Sequence, residues 1–331
     1  MSFGSVISSN GSVVMGSVYT NGLDFTSERA IRWENPGPAQ RMSNVPTDWT
    51  TFVRVNDMDA SGSVAVGMRG SSGNGFRWDL TNGFQALPNT IRTATGISGD
   101  GVTIVGESFN GRALKWTEAG GLVELPGTSA YANAANFDGS IVVGVNGSGA
   151  EASLWDANNN NVRVSLGVLA GGSASEALSV SGDGTVVVGT SGSSNGNRAF
   201  RWTLDSGMQD LGVSSGYSIS DARFVTLNGN YILGASYSAD FSAVEGFLWT
   251  EESGMVSMES YLQDGDVDLT GWSDLLGLGI SEDGSYVTGR GTYDGLTQGF
   301  VAYIVPEPST YALLALAAAG LGAHVLRRRR K

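Results

Sequence analysis

One ten-residue block recurs seven times along this chain, and that repetition constrains the fold more than any other feature. Its first copy is Ile7-Ser-Ser-Asn-Gly-Ser-Val-Val-Met-Gly16 and its clearest is Val180-Ser-Gly-Asp-Gly-Thr-Val-Val-Val-Gly189; the others end at Gly67, Gly106, Gly144, Gly234 and Gly289. A second block follows each and carries an aromatic, as in Ala30-Ile-Arg-Trp33, Gly75-Phe-Arg-Trp78, Ala113-Leu-Lys-Trp116, Ala152-Ser-Leu-Trp155, Ala199-Phe-Arg-Trp202 and Gly246-Phe-Leu-Trp249. The seventh copy, Gly299-Phe-Val-Ala-Tyr303, has tyrosine in that place. A third block is clearest as Gly207-Met-Gln-Asp-Leu-Gly212. Successive block tryptophans lie 45, 38, 39, 47 and 47 residues apart, a period that belongs to propellers and solenoids.

Each unit reads as four short strands. In residues 175–212, Ala177 to Ser181 is a first strand, and Asp183-Gly184 is a hairpin turn that favours positive φ. Val186, Val187 and Val188 make a β-branched second strand. Arg198 to Thr203 alternates, with Phe200 and Trp202 on one side and Ala199 and Arg201 on the other. Met208 to Leu211 is the fourth. No helical period intervenes, so the expected architecture is an all-β, seven-bladed propeller of roughly 45-residue, four-stranded repeats over residues 1–304. The 49 glycines among only 7 prolines are assigned to turns.

Composition removes several chemistries. The chain has no cysteine, and its one histidine, His324, lies close to the C-terminus. A Ser-His-Asp triad, a Cys-His dyad and a thiolate or histidine zinc site are therefore excluded from the body. The formal charge is −13, but residues 327–331 are all basic; without them and Glu307 the body holds 14 bases and 31 acids, a net −17. That field repels nucleic acid, which is not an expected partner.

The C-terminus has three parts: a proline segment containing Pro306, Glu307 and Pro308, sixteen uncharged residues at 311–326, and Arg327, Arg328, Arg329, Arg330 and Lys331. As a helix the apolar stretch spans roughly 24 Å, short of a ~30 Å hydrocarbon core but extendable by snorkelling arginines. It is read as a single short transmembrane helix, with the basic cluster on the cytoplasmic side and the body outside the inner membrane. These parts resemble the PEP-CTERM protein-sorting signal of Gram-negative bacteria that make exopolysaccharide. The resemblance implies that residues 305–331 are an address, that an exosortase is the processing partner, and that the protein ends at the cell surface or in the extracellular matrix.

The body resembles the HAF-repeat family of extracellular repeat proteins through Arg198-Ala-Phe-Arg-Trp-Thr203, Gly207-Met-Gln-Asp-Leu-Gly212 and the seven Gly-ending blocks. It departs from that family at Arg198, which stands where the naming triplet has histidine. The resemblance implies architecture and location, with no reaction attached. The chain opens directly on a first strand, Phe3 to Ser9, and its seventh unit stops at Ile304 after a third strand. We therefore expect an upstream segment bearing an export signal and a strand that completes blade seven.

Three sets of residues invite a chemical reading. The Asn-Gly and Asp-Gly pairs at Asn10, Asp100, Asp138, Asp183, Asn228 and Asp283 suit calcium or, with Asn replacing Asp freely, tight turns. Asp57, Asp59 and Ser61 alternate like the front half of a calcium loop, though no bidentate Glu follows at the EF-hand distance; Asp264, Asp266 and Asp268 form a second candidate calcium site. No other cofactor is implied. Arg32, Arg77, Lys115 and Arg201, each before a block tryptophan, suit either a basic ring for an acidic polysaccharide or local ion pairs. The tryptophans themselves suit packing between blades better than sugar stacking. The function expected is a non-enzymatic structural or binding module associated with exopolysaccharide. The alternative is a polysaccharide lyase or glycosidase using carboxylates in a central channel, and no catalytic residue stands out.

Overall fold

A computed structural model describes residues 2–19, 28–35, 37–42, 52–70, 73–147 and 150–304. The expected membrane helix at 311–326, the motif Pro306 to Pro308 and the basic cluster Arg327 to Lys331 lie outside these residues. Among the described residues no helix is long and apolar enough to cross a membrane.

Seven antiparallel sheets follow one another along the chain, each with its strands in sequence order. The innermost strands are β1 (Ser2–Ile7), β5 (Val53–Met58), β9 (Ile91–Ile97), β13 (Tyr131–Ala135), β17 (Ser175–Val180), β21 (Ile219–Val225) and β25 (Trp272–Ile280). Blades 1 to 6 have four strands and blade 7 has three described strands, ending with β27 (Leu296–Tyr303). This is the seven-bladed propeller that the repeats imply. In blade 5 the second strand, β18 (Val187–Ser193), runs well past the valine run. It is paired on both edges, to β17 and to β19 (Gly196–Thr203). That pairing supplies its backbone hydrogen bonds whatever its side chains prefer, so Gly189 to Ser193 stay extended.

The hydrophobic core is divided among the interfaces. Six buried clusters fill the six joints between consecutive blades. Between blades 4 and 5, Val143, Ala152 and Leu154 meet Ala177, Val187 and Phe200. Between blades 5 and 6, Val188 and Ala199 meet Ala222, Ile232 and Phe247. Successive side chains of one strand thus serve two neighbours, so Phe200 and Ala199 are both fully buried. A phenylalanine so buried contributes about 1.5–3 kcal/mol. Trp78 and Trp155 are 4% and 0% exposed within these clusters, which is interblade packing. Where blade 7 meets blade 1, Tyr286 packs against Gly11, its hydroxyl accepts from Asn35 Nδ2 at 3.1 Å, and Ile7 abuts Gly279.

Two features depart from the sequence reading. The block-ending glycines are not in turns. They sit inside second strands, where an added Cβ would lie 1.9 Å from Arg54 O at Gly67, 2.0 Å from Thr93 O at Gly106 and 1.9 Å from Glu176 O at Gly189. Glycine is there for close backbone approach. The long gap between Gly234 and Gly289 holds a short helix, α1 (Met258–Asp264), where no helix is expected. Seven residues are too few to show a helical period. It forms because Ser257 caps its N-terminus and Met258 and Leu262, both 0% exposed, pack between blades 6 and 7.

Candidate functional site

The six Asn-Gly and Asp-Gly turns share one geometry. In blade 5, Asp183 Oδ1 accepts from Ser181 Oγ at 2.7 Å and from Thr185 N at 3.0 Å, and Gly184 takes φ +77°. In blade 6, Asn228 does the same with Thr226 and Asn230 at 2.7 and 2.9 Å. Both need only one side-chain oxygen, which is why Asn and Asp interchange. The Ser140 hydroxyl, joined by its N–H, holds Asp138 below the usual carboxylate range.

Blade 2 carries a swapped version of this turn. Asp59 occupies the place of Ser8 and Ser181, and Ser61 the place of Asn10 and Asp183. Asp59 Oδ1 accepts from Ser63 N and Val64 N at 2.8 Å each, while Oδ2 accepts from Ser61 Oγ and from Ser63 Oγ at 3.2 Å. A cation would compete with four donors for two oxygens. Asp57 lies on β5 and faces elsewhere: Oδ2 accepts from Ile97 N of blade 3 at 2.9 Å and Oδ1 from Met58 N at 2.8 Å. Burial pushes its carboxyl up to about 7, against the pull of these two N–H groups. In the second candidate site, Asp264 ends α1, Asp266 has φ +58°, and Asp268 accepts from Thr270 N and Oγ1 at 2.9 and 2.6 Å. Among the described residues no three acidic or histidine side chains converge as a metal set.

The basic residues before the tryptophans do not form a ring. Arg32 pairs with Glu34 at 2.6 Å and Arg77 with Asp79, both along their own strands. Lys115 Nζ donates to Gly139 O of the next blade at 2.7 Å, and the Arg201 guanidinium lies 6.0 Å from the Trp249 ring centroid.

A cavity of about 250 Å³ lies on the axis, lined by the inner strands of all seven blades. Every inner strand breaks register at the same place. Six of the extra residues, Asn56, Thr95, Asn133, Leu178, Arg223 and Leu278, line the cavity. A bulge re-aims one side chain in this way, and the second-strand glycine beside it lets the two backbones approach closely. Three of these side chains stitch blade to blade. Asn56 Nδ2 donates to Ala94 O at 2.8 Å, Thr95 Oγ1 to Ala132 O, and Asn133 Nδ2 to Ala177 O at 2.8 Å and Glu176 Oε1 at 2.9 Å. Arg223 donates from Nε and Nη2 to Asp221 at 2.8 and 2.9 Å.

A belt of hydrogen bonds between the first turns of the blades rings one end of this cavity. Glu282 N donates to Ser9 O, Ser9 N to Ala60 O, Ala60 N to Gly99 O, Asp100 N to Phe137 O, Phe137 N to Gly182 O and Gly182 N to Leu227 O, at 2.7–3.0 Å. The seventh link differs. Leu227 N and Asn228 N donate to the Glu282 carboxylate at 2.5 and 2.8 Å, and Asn228 Nδ2 donates to Glu282 O at 2.8 Å. Burial raises the Glu282 carboxyl above its ordinary value.

The C-terminal residues 305–330 match the PEP-CTERM protein-sorting motif. A signal of this kind directs export, C-terminal membrane-anchored sorting and exosortase processing. No curated protein matches the chain. Among solved structures, an oligogalacturonate lyase in complex with manganese is similar with a TM-score of 0.62 at 11% identity, over 92% of this chain and 89% of that one. An oligogalacturonate lyase from Vibrio parahaemolyticus is similar at 0.61 and 13%, over the same shares. TolB from Acinetobacter baumannii is similar at 0.53 and 12%, over 75% of this chain; the match spans 63% of that TolB. At these identities the likeness is one of fold.

Sequence reasoning missed the Asn56, Thr95 and Asn133 stitches, the bulge positions and the belt. A weak signal existed, since the bulge residue stands a fixed two places before the apolar residue that opens each block.

Proposed function

We propose that this protein is an exported, surface-sorted propeller acting as a non-enzymatic structural or binding module within an exopolysaccharide matrix. The observation that carries the location is the sorting motif at 305–330; on this reading residues 1–304 are the mature body and 305–331 the address. The HAF-like repeat blocks support an extracellular setting. The non-enzymatic part rests on the channel acids. Asp57, Asp59 and Glu282 each already accept at least two hydrogen bonds that hold a turn or join two blades. Reorienting one of these carboxylates toward a substrate would break bonds that hold a turn or join two blades.

The carbohydrate-active alternative draws on one observation, that Asp57 lies in the channel with its carboxyl pushed up to about 7, a value suited to proton transfer near neutrality. The two readings separate in one experiment on the native producer. Tagged protein is followed through membrane, matrix and medium fractions, and purified matrix polysaccharide is incubated with the matrix form. We expect matrix retention that Pro306→Ala with Pro308→Ala abolishes, and no new reducing ends. Steady release of new ends, lost in Asp57→Asn, would replace the module with an enzyme.

A further inference from the structure

The seven bulge positions are equivalent by the repeat, yet their side chains are not. Blades 2, 3 and 4 place Asn56, Thr95 and Asn133 in one polar arc of the lumen, while blades 5 and 7 place Leu178 and Leu278 on the other side, with Arg223 between them. Leucine at 178 and 278 shows that the fold itself accepts an apolar residue at this position. The polar arc is also directional. Asn56 and Asn133 donate outward through Nδ2 to the next blade, which leaves each Oδ1 for the lumen. The arc therefore offers two amide oxygens and the second N–H of Asn56, which suits a ligand whose groups both donate and accept, as hydroxyls do.

The acids and the base define the charge of that ligand. Asp57 and Glu282 each accept two backbone N–H groups, at least one of them from a neighbouring blade, so an ammonium that drew either carboxylate away would cost an interblade link. The charge of Arg223 is balanced by Asp221, and the body carries a net −17, which opposes an anion. What remains is a small neutral molecule with hydroxyls along one edge and a C–H face for Leu178 and Leu278. At about 250 Å³ the cavity falls just below the range of drug-sized sites, which starts at roughly 300 Å³.

We propose that the axial cavity is a binding site for one neutral pyranose residue, its hydroxyls on the Asn56–Thr95–Asn133 arc and its C–H face on Leu178 and Leu278. This rests on the binding-module reading above and names its ligand class. The test uses protein with isotope-labelled leucine methyls, titrated with the methyl glycosides of glucose, galactose and mannose and, separately, with methyl glucuronoside. Saturable shifts at the Leu178 and Leu278 methyls with at least one neutral glycoside are expected. Leu178→Trp and Leu278→Trp fill the lumen and touch none of the stitching bonds. Each is expected to weaken binding at least tenfold with the melting temperature retained. The methyl shifts of the unsubstituted protein decide the matter if either variant misfolds. Three results would overturn the site: no saturable shift with any neutral glycoside, binding that survives both tryptophans, or preference for the glucuronoside. If the protein is retained in matrix but the cavity binds no sugar, this site fails and the module reading stands. If the cavity binds sugar but the protein is absent from matrix, the reverse holds.

Discussion

Asp57 shows how much one side chain's environment matters. On the sequence it is a candidate calcium ligand two residues before another acid; in the fold it is buried at the joint of blades 2 and 3, with its carboxyl pushed up to about 7 from 3.8. A raised carboxyl in the folded state means that the native protein holds its proton longer than the unfolded chain does. The stability tied to that proton is fully present below about pH 3.8 and is lost as the pH rises through about 7. Asp57→Asn keeps an oxygen for Ile97 N and removes the titration. The variant's advantage in unfolding free energy over the parent should therefore grow between pH 4 and pH 7.5, with a slope of at most about 1.4 kcal/mol per pH unit. Parallel curves for the two proteins would refute the burial.

At the element scale the unit of design is a bulge on each inner strand facing a glycine on the second. Gly189 pairs with Ala177, the register breaks at Leu178, and a Cβ at 189 would meet Glu176 O at 1.9 Å and the Phe200 ring at 2.9 Å. Backbone cannot yield as a flexible side chain does. Gly189→Ala should cost about 1–3 kcal/mol or more through overpacking, read as a lower denaturant midpoint. Gly207→Ala, at a turn with φ +66° and open space around it, should cost about 1 kcal/mol from backbone strain alone. Equal costs at the two positions would mean that the close approach at 189 is unimportant. The periodic Gly was plain in the sequence, but its reason was not, because a turn glycine and a contact glycine look identical as letters.

The whole molecule depends on closing a ring whose six regular belt links are backbone to backbone and whose seventh uses a side chain. Glu282 is thus a structural clasp between blades 6 and 7. Its removal strands two N–H groups, and hydrogen bonds to a charged acceptor contribute about 1.5–3 kcal/mol. Glu282→Ala should lower stability by about 2–3 kcal/mol and speed amide exchange at Leu227 and Asn228. Glu282→Gln, which keeps one accepting oxygen, should fall between the two. An alanine variant with unchanged exchange at those amides would show that the belt does not hold this joint.

Local pattern by itself determined the blade count, the approximate strand order, the turn chemistry and the address at the C-terminus. These follow from period, alternation and composition, which act between residues close together in the chain. Only the tertiary structure decided which residue of each inner strand faces the axis, which acids are buried and which turn bonds to which. Those depend on bulges, and on neighbours some forty residues away or, for Glu282 and Ser9, at opposite ends of the chain. Ring closure brings such pairs together through geometry that no short window of sequence contains.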